Sequence, residues 1–167
     1  VTAIECLTSF ITAGRFLGSG VGSAITDVDG AIRVDFIDDV DETGQSIRRD
    51  YGFVELTFHP VPEWVVVGAA FQLHRLAAEP SLAEEWAERM GVEFPRYLAW
   101  DQLRAELRRV VPTLDLTIRE QGGFVEYRAP VSNVSVLVVD EPEDERGYRV
   151  GHQDVWSVSV WGALQRD

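Results

Sequence analysis

Two spacings of apolar residues divide the chain. Residues 3–17 place Ile4, Leu7, Phe10, Ile11 and Phe16 at near-helical intervals and predict a short N-terminal helix, although Thr and Gly weaken it. The Gly-rich stretch GSGVGS at 18–23 reads as a flexible break. The period then falls to two. Ile32, Val34 and Phe36 alternate with Arg33 and Asp35, and Val54, Leu56 and Phe58 alternate with Glu55 and Thr57, as strands with one buried face do. An apolar strand over 64–73 follows the interruption at Pro60 and Pro62.

Helical spacing returns at 81–90. Ser81 with Glu84 has the pattern of a capping box, Leu82, Trp86 and Met90 share a face, and Gly91 supplies the stop. A second helix is expected over 98–111, with Leu103, Leu107 and Val110 or Val111 inward and Pro112 ending it. Strands then resume. Leu114, Leu116 and Ile118 alternate, Gln121-Gly122-Gly123 turns, and 124–128 returns as a hairpin. Residues 134–139 are almost continuously apolar and predict a central strand. Residues 155–161 alternate with Ser157 and Ser159, which puts Trp156 on a face with Val158 and Val160. Strands joined by short turns, with the helices segregated in the middle, predict a single α+β domain over 1–167. Its sheet is mostly antiparallel, with a central helix pair and a short N-terminal helix.

Composition narrows the chemistry. At 167 residues, 46% hydrophobic and 26% charged, the chain can bury one core. All fifteen bases are Arg, so a Walker-A lysine, a Schiff-base lysine and a pyridoxal-phosphate anchor are excluded. Cys6 is the only cysteine and lies in an apolar segment, which rules out an intramolecular disulfide and predicts an unreactive thiol. No apolar run reaches the roughly 18 residues of a membrane span. The N-terminal stretch lacks the basic region and cleavage site of a secretion signal. These features predict a cytoplasmic protein that does not enter a membrane.

Charge changes the picture most. The formal net charge is −13, with −5 in residues 27–50, −4 in residues 140–167 and none in the first 26. It gathers in two runs without an internal base: Asp35, Asp38, Asp39, Asp41 and Glu42, then Asp140, Glu141, Glu143, Asp144 and Glu145. Like charges crowded together oppose compaction, so two such runs point to an electropositive partner. Nucleic acid is excluded as that partner because phosphate contacts need clustered bases. The nearest approach to such a cluster, Arg104, Arg108 and Arg109, is interrupted by Glu106.

Catalytic and ligand-binding patterns are weak by comparison. Asp27-x-Asp29-Gly30 resembles the start of a calcium loop, yet position 32 is Ile where Gly is required and position 38 is Asp where Glu is required. A solvated turn is the expectation. GSGVGS lacks a lysine, and no helix is evident after Ser23 to hold a phosphate. His59, His74 and His152 have no metal-binding spacing, and His74 is expected to share an exposed strand face with Gln72. No G-x-S-x-G elbow is present. The sequence therefore predicts no catalytic residue, no metal and no cofactor. Of the five tryptophans, Trp64 and Trp161 are the ones whose burial the pattern leaves open. Trp64, exposed beside acidic loops, would serve as a binding anchor.

The segment 35–76 carries a resemblance. DFIDDVDETGQSIRRDYGFVELTF, with Arg49-Asp50-Tyr51-Gly52 followed by Glu55 and Phe58, then a Trp-containing apolar strand ending QLHRL, resembles small acidic actinobacterial proteins found beside polymorphic toxins and read as immunity proteins. The resemblance implies a non-catalytic inhibitor of a cognate protein toxin with an electropositive surface. Both acidic runs and Trp64 would form the interface, and a homodimer is open. The alternative is a small-molecule-binding protein or enzyme with a pocket between sheet and helices.

Overall fold

The computed structural model describes residues 1–162. The alternating segments assemble into one antiparallel sheet of eight strands, and a two-stranded ribbon stands beside it. The ribbon is β1 (Arg15–Phe16) with β2 (Ser19–Gly20). The large sheet contains β3 (Ile37–Val40), β4 (Ile47–Asp50), β5 (Val54–Pro60), β6 (Trp64–Phe71), β7 (Thr117–Glu120), β8 (Phe124–Arg128), β9 (Ser135–Val139) and β10 (Val155–Trp161). Its order is β3-β4-β5-β6-β10-β9-β8-β7. Two four-stranded meanders thus meet at a single seam, β6 against β10, where Val158 lies opposite Phe71 and Val160 opposite Ala69.

Helices cover one face of this sheet. The N-terminal helix α1 (Ala3–Ala13) starts on a capping box in which Thr2 and Glu5 satisfy each other's free amides. Helix α5 (Trp100–Val110) packs against α1. Leu7, Phe10 and Ile11 of α1 and Leu103 and Leu107 of α5 enter a core shared with Val54, Leu56, Phe58, Phe71, Val136 and Val158. Phe10, Phe16 and Phe71 meet with ring centroids 5.2–5.4 Å apart. Each fully buried Phe or Leu contributes about 1.5–3 kcal/mol. These side chains fill the space between the sheet and the two helices.

Several expectations change. The segment after Ser23 is a short helix, α2 (Ile25–Ala31), not a loop, and the expected strand over Ile32 to Phe36 joins no ladder and bends at Val34 before β3 begins at Ile37. Asp29 therefore sits on a helix. The helix expected over 81–90 is preceded by α3 (Arg75–Ala78) and splits into a 3₁₀ turn, Pro80–Ala83, and α4 (Glu84–Met90). The Ser81 capping box does not form, because the proline-led turn places Ala83 at the cap of α4 without a side-chain bond. Val110 is exposed. Leu114 and Leu116 precede β7, which begins only at Thr117. Strand β6 ends at Phe71, so Gln72 and His74 share no strand face.

Candidate functional site

The first acidic run is largely used within the fold. The turn from β3 to β4 sets a register that pairs Asp38 with Arg49 and Asp39 with Arg48. Arg49 lies on the helix-facing side of β4, with its side chain only 4% exposed. Its guanidinium holds both oxygens of Asp38 at 2.8 and 3.0 Å and Asp29 of α2 at 2.6 Å. The ring of Phe36 lies 3.7 Å beneath it and that of Phe58 5.1 Å away. Burial works against the Arg49 charge, but hydrogen bonds led by Asp38 outweigh it and raise its pKa. Asp39 reaches Arg48 at 3.7 Å.

Asp41 caps its own turn, accepting from the Thr43 hydroxyl and the amides of Gln45 and Ser46. The Thr43 bond leads in lowering its pKa. The Asp35 amide donates to Glu85 of α4, and its carboxylate lies 3.9 Å from Arg89. Glu42 is exposed. The rest of the Arg49-Asp50-Tyr51-Gly52 element has equally local duties. Asp50 caps the Gly52 amide at 2.7 Å, Tyr51 packs edge-on against Trp86, and the Gly52 carbonyl accepts from Arg75, which also pairs with Glu55 at 2.6 Å. Gly52 adopts φ 101°, a conformation side chains rarely allow.

The second acidic run is different. Residues 140–154 form the long loop that joins the antiparallel neighbours β9 and β10. Its base is fixed. Val150 buries against Ala77 and Val139, Asp154 is buried under a bidentate Arg146 at 2.6 and 2.9 Å, and the Tyr97 hydroxyl donates to Gly147 at 2.6 Å. The hydrogen bond that Arg146 donates to the Asp154 carboxylate leads in raising the Arg146 pKa. Asp140, Glu141, Glu143, Asp144 and Glu145 are all exposed, and none makes an ion pair among the described residues. A bond between the Gly147 amide and the Arg149 carbonyl leaves Tyr148 at the apex, 84% exposed.

Two hollows connect the neighbourhoods of these runs. One, of about 620 Å³, lies between α3, the 3₁₀ turn and the loop, and His74, Arg75, Leu82, Tyr148, Arg149 and Trp156 are among its lining residues. The other, of about 330 Å³, is lined by Asp35, Phe36, Ile37, Asp50, Leu82 and Glu85 among others. Gly52 and Leu82 line both, so they form one trough, with Asp35 of the first run lining one end and Tyr148 and Arg149 of the loop that carries the second run lining the other.

His74 precedes the first residue of α3 without a side-chain capping bond and stacks on Trp156 at 4.1 Å with the rings 3° from parallel. It is half-buried rather than exposed, and burial leads in lowering its pKa. Trp156 leaves the face of Val158 because the ladder to β9 shifts register between Val155 and Ser157. Sequence reasoning missed His74, Trp156 and Tyr148 as neighbours. Only Tyr148, set between Gly147 and Arg149 shortly after the acidic run, offered a signal.

Trp64 is not an exposed anchor. It opens β6 opposite Pro60 and packs, half-buried, against the core. Trp161 is the exposed one, covering Gly68. Cys6 is buried, and loss of hydration pushes its thiol up to about 11. Among the described residues, no group of three or more His, Cys, Asp or Glu is placed to hold a metal ion. No described helix is long and apolar enough to cross a membrane. No protein-family model, curated protein or solved structure matches this chain.

Proposed function

We propose that this chain is a non-catalytic immunity protein that captures a cognate toxin with an electropositive surface, seating it along the trough between the two acidic runs. The observation that carries this reading is the loop of residues 140–154: five exposed carboxylates at 140–145, none in an ion pair among the described residues, stand on a base fixed by Val150 and the Arg146–Asp154 pair, followed by an exposed Tyr148 and by Arg149. Opposed potentials steer such pairs together, with association approaching about 10⁸–10⁹ M⁻¹s⁻¹ at low salt. Tyr148 supplies the rigid aromatic contact that interface centres favour. The resemblance over residues 35–76 supports the same reading. The first run contributes less than its sequence promised, because Asp38 and Asp41 already serve the fold.

The test mixes the purified protein with the product of the adjacent gene and measures association at two salt concentrations. Neutralising Glu141, Glu143, Asp144 and Glu145 together to their amides should slow association about tenfold at low salt. An unchanged on-rate would remove the loop from the mechanism, and turnover by the chain alone would end the non-catalytic reading.

One observation favours a second reading. The 620 Å³ hollow beside the His74–Trp156 stack has the volume of a small-molecule site. A small ligand held there would quench tryptophan emission, and the quenching would vanish in Trp156→Phe.

A further inference from the structure

We propose that β3 receives an extended cationic segment of the partner as a ninth strand of the sheet. This rests on the reading above that the partner is electropositive, and it names the structural form in which the partner binds.

Strand β3 ends the sheet, and all four of its residues are exposed. The bond from the Asp41 amide to the Ser46 carbonyl sets the phase of its ladder with β4. The amides and carbonyls of Ile37 and Asp39 therefore turn inward, and those of Asp38 and Val40 turn outward, where no strand among the described residues meets them. Sheet edges are usually protected by a proline, a bulge, an inward charge or a covering element. Here Ile37 is 76% and Val40 54% exposed, the ladder to β4 runs without a register shift, no proline interrupts the strand, and its inward charge, Asp38, is neutralised by Arg49.

Charge selects the occupant. A second copy adding antiparallel through β3 would bring Asp38 or Asp39, according to register, against its own counterpart, and like charges directly opposed destabilise a pairing. A strand with alternating basic residues meets the reverse situation. Asp39, with 72% of its side chain exposed, lies on the strand itself, and Asp35 and Glu42 flank it in exposed positions. At the start of β3 the 330 Å³ hollow offers an apolar floor of Phe36, Ile37 and Leu82 with Asp35, Asp50 and Glu85 at its rim. That combination suits the aliphatic stem and cationic head of an Arg or Lys side chain. Main-chain bonds to the edge supply affinity and the hollow supplies selection, which is how strand addition works in peptide recognition.

The experiment uses the full-length protein and the peptide acetyl-Arg-Val-Arg-Val-Arg-Val-amide, at up to about millimolar concentration, where weak peptide complexes populate. Amide hydrogen exchange followed by NMR is the first readout. The Asp38 and Val40 amides should slow about tenfold or more on peptide addition, while Ile37 and Asp39, already in the ladder, change little. The second readout is affinity for the same peptide N-methylated at alternate amides, which keeps the charge and removes the donors. Binding should fall about tenfold, a loss that needs no change to the protein. Val40→Pro, which removes an outward donor, should give a similar loss.

Equal affinity for the methylated peptide overturns the proposal. So does binding that protects residues 140–150 and leaves the edge unchanged, an outcome under which a cationic partner is still captured but not as a strand. Protection of the same edge amides by self-association, without peptide, would assign the edge to a second copy and overturn it too. Failure of the chain to bind the product of its adjacent gene falls on the functional reading instead.

Discussion

Replacing Arg49 by Met decides whether the first acidic run belongs to the fold. At an effective dielectric near 20, each unit-charge pair at about 4 Å is worth about 4 kcal/mol, and Arg49 holds two carboxylates. Against this stands a desolvation cost of several kcal/mol for a guanidinium buried this deeply. The substitution recovers that cost but leaves Asp29 and Asp38 near each other without their cation. Removing one partner of a buried pair costs about 3–5 kcal/mol. Asp29 and Asp38 keep 49% and 31% of their side-chain exposure, so water relieves part of the loss and the lower end of that range applies. Arg49→Met should therefore cost about 3 kcal/mol, or about 6–12 °C in Tm for a chain of this size. Urea unfolding measures it. Adding Asp38→Asn to Arg49→Met should restore about 1 kcal/mol, whereas the same change alone should destabilise. An unchanged urea midpoint in Arg49→Met, or equal effects of Asp38→Asn in both backgrounds, would refute the reasoning.

Three further outcomes follow from the same contacts. Converting Glu141, Glu143, Asp144 and Glu145 to amides should leave thermal stability within about 0.5 kcal/mol of the parent, because these groups pair with nothing in the described residues; a clear drop in a melting scan would contradict their display role. Gly52→Ala should cost about 1–3 kcal/mol in urea unfolding, since φ 101° strains any side chain and the new Cβ would sit 3.2 Å from Leu82. His74 has its pKa lowered by burial, so the unfolded chain takes up a proton first: its contribution is complete above about pH 6.5 and declines on acidification below that. The Tm difference between the parent and His74→Gln, followed from pH 8 to 5.5, should shrink as pH falls, and a constant difference would dismiss the His74 assignment.

Much of the fold was legible because single-face burial leaves a plain trace. Val54, Leu56 and Phe58 alternate as β5 requires, the Gly122-Gly123 turn makes the β7–β8 hairpin, and Leu103 and Leu107 mark the buried stripe of α5. What escaped depended on partners distant in sequence. Helix α2 contains Gly30 and little apolar periodicity, and it is held by Val28 in the core and Asp29 on Arg49. The register shift at Trp156 moves one ring to the opposite face, and nothing in the local pattern announces it. For the site, the sequence displayed carboxylates but not their neutralisation. A register drawn outward from the turn at Thr43-Gly44 would have set Asp38 opposite Arg49, separating the internal acids from those left to solvent.

The single seam between the two meanders makes the molecule divisible. Every other strand pairing is made within residues 15–71 or within residues 117–161, so a break in the helical connection would sever no hairpin. Two polypeptides supplied separately could each assemble their own ribbons from short-range contacts and then click together along β6 and β10, with α1 docking on α5 to lock the halves. The reunion would rest on one strand-to-strand zipper, with the core shared by the two meanders and the His74–Trp156 stack crossing the same divide.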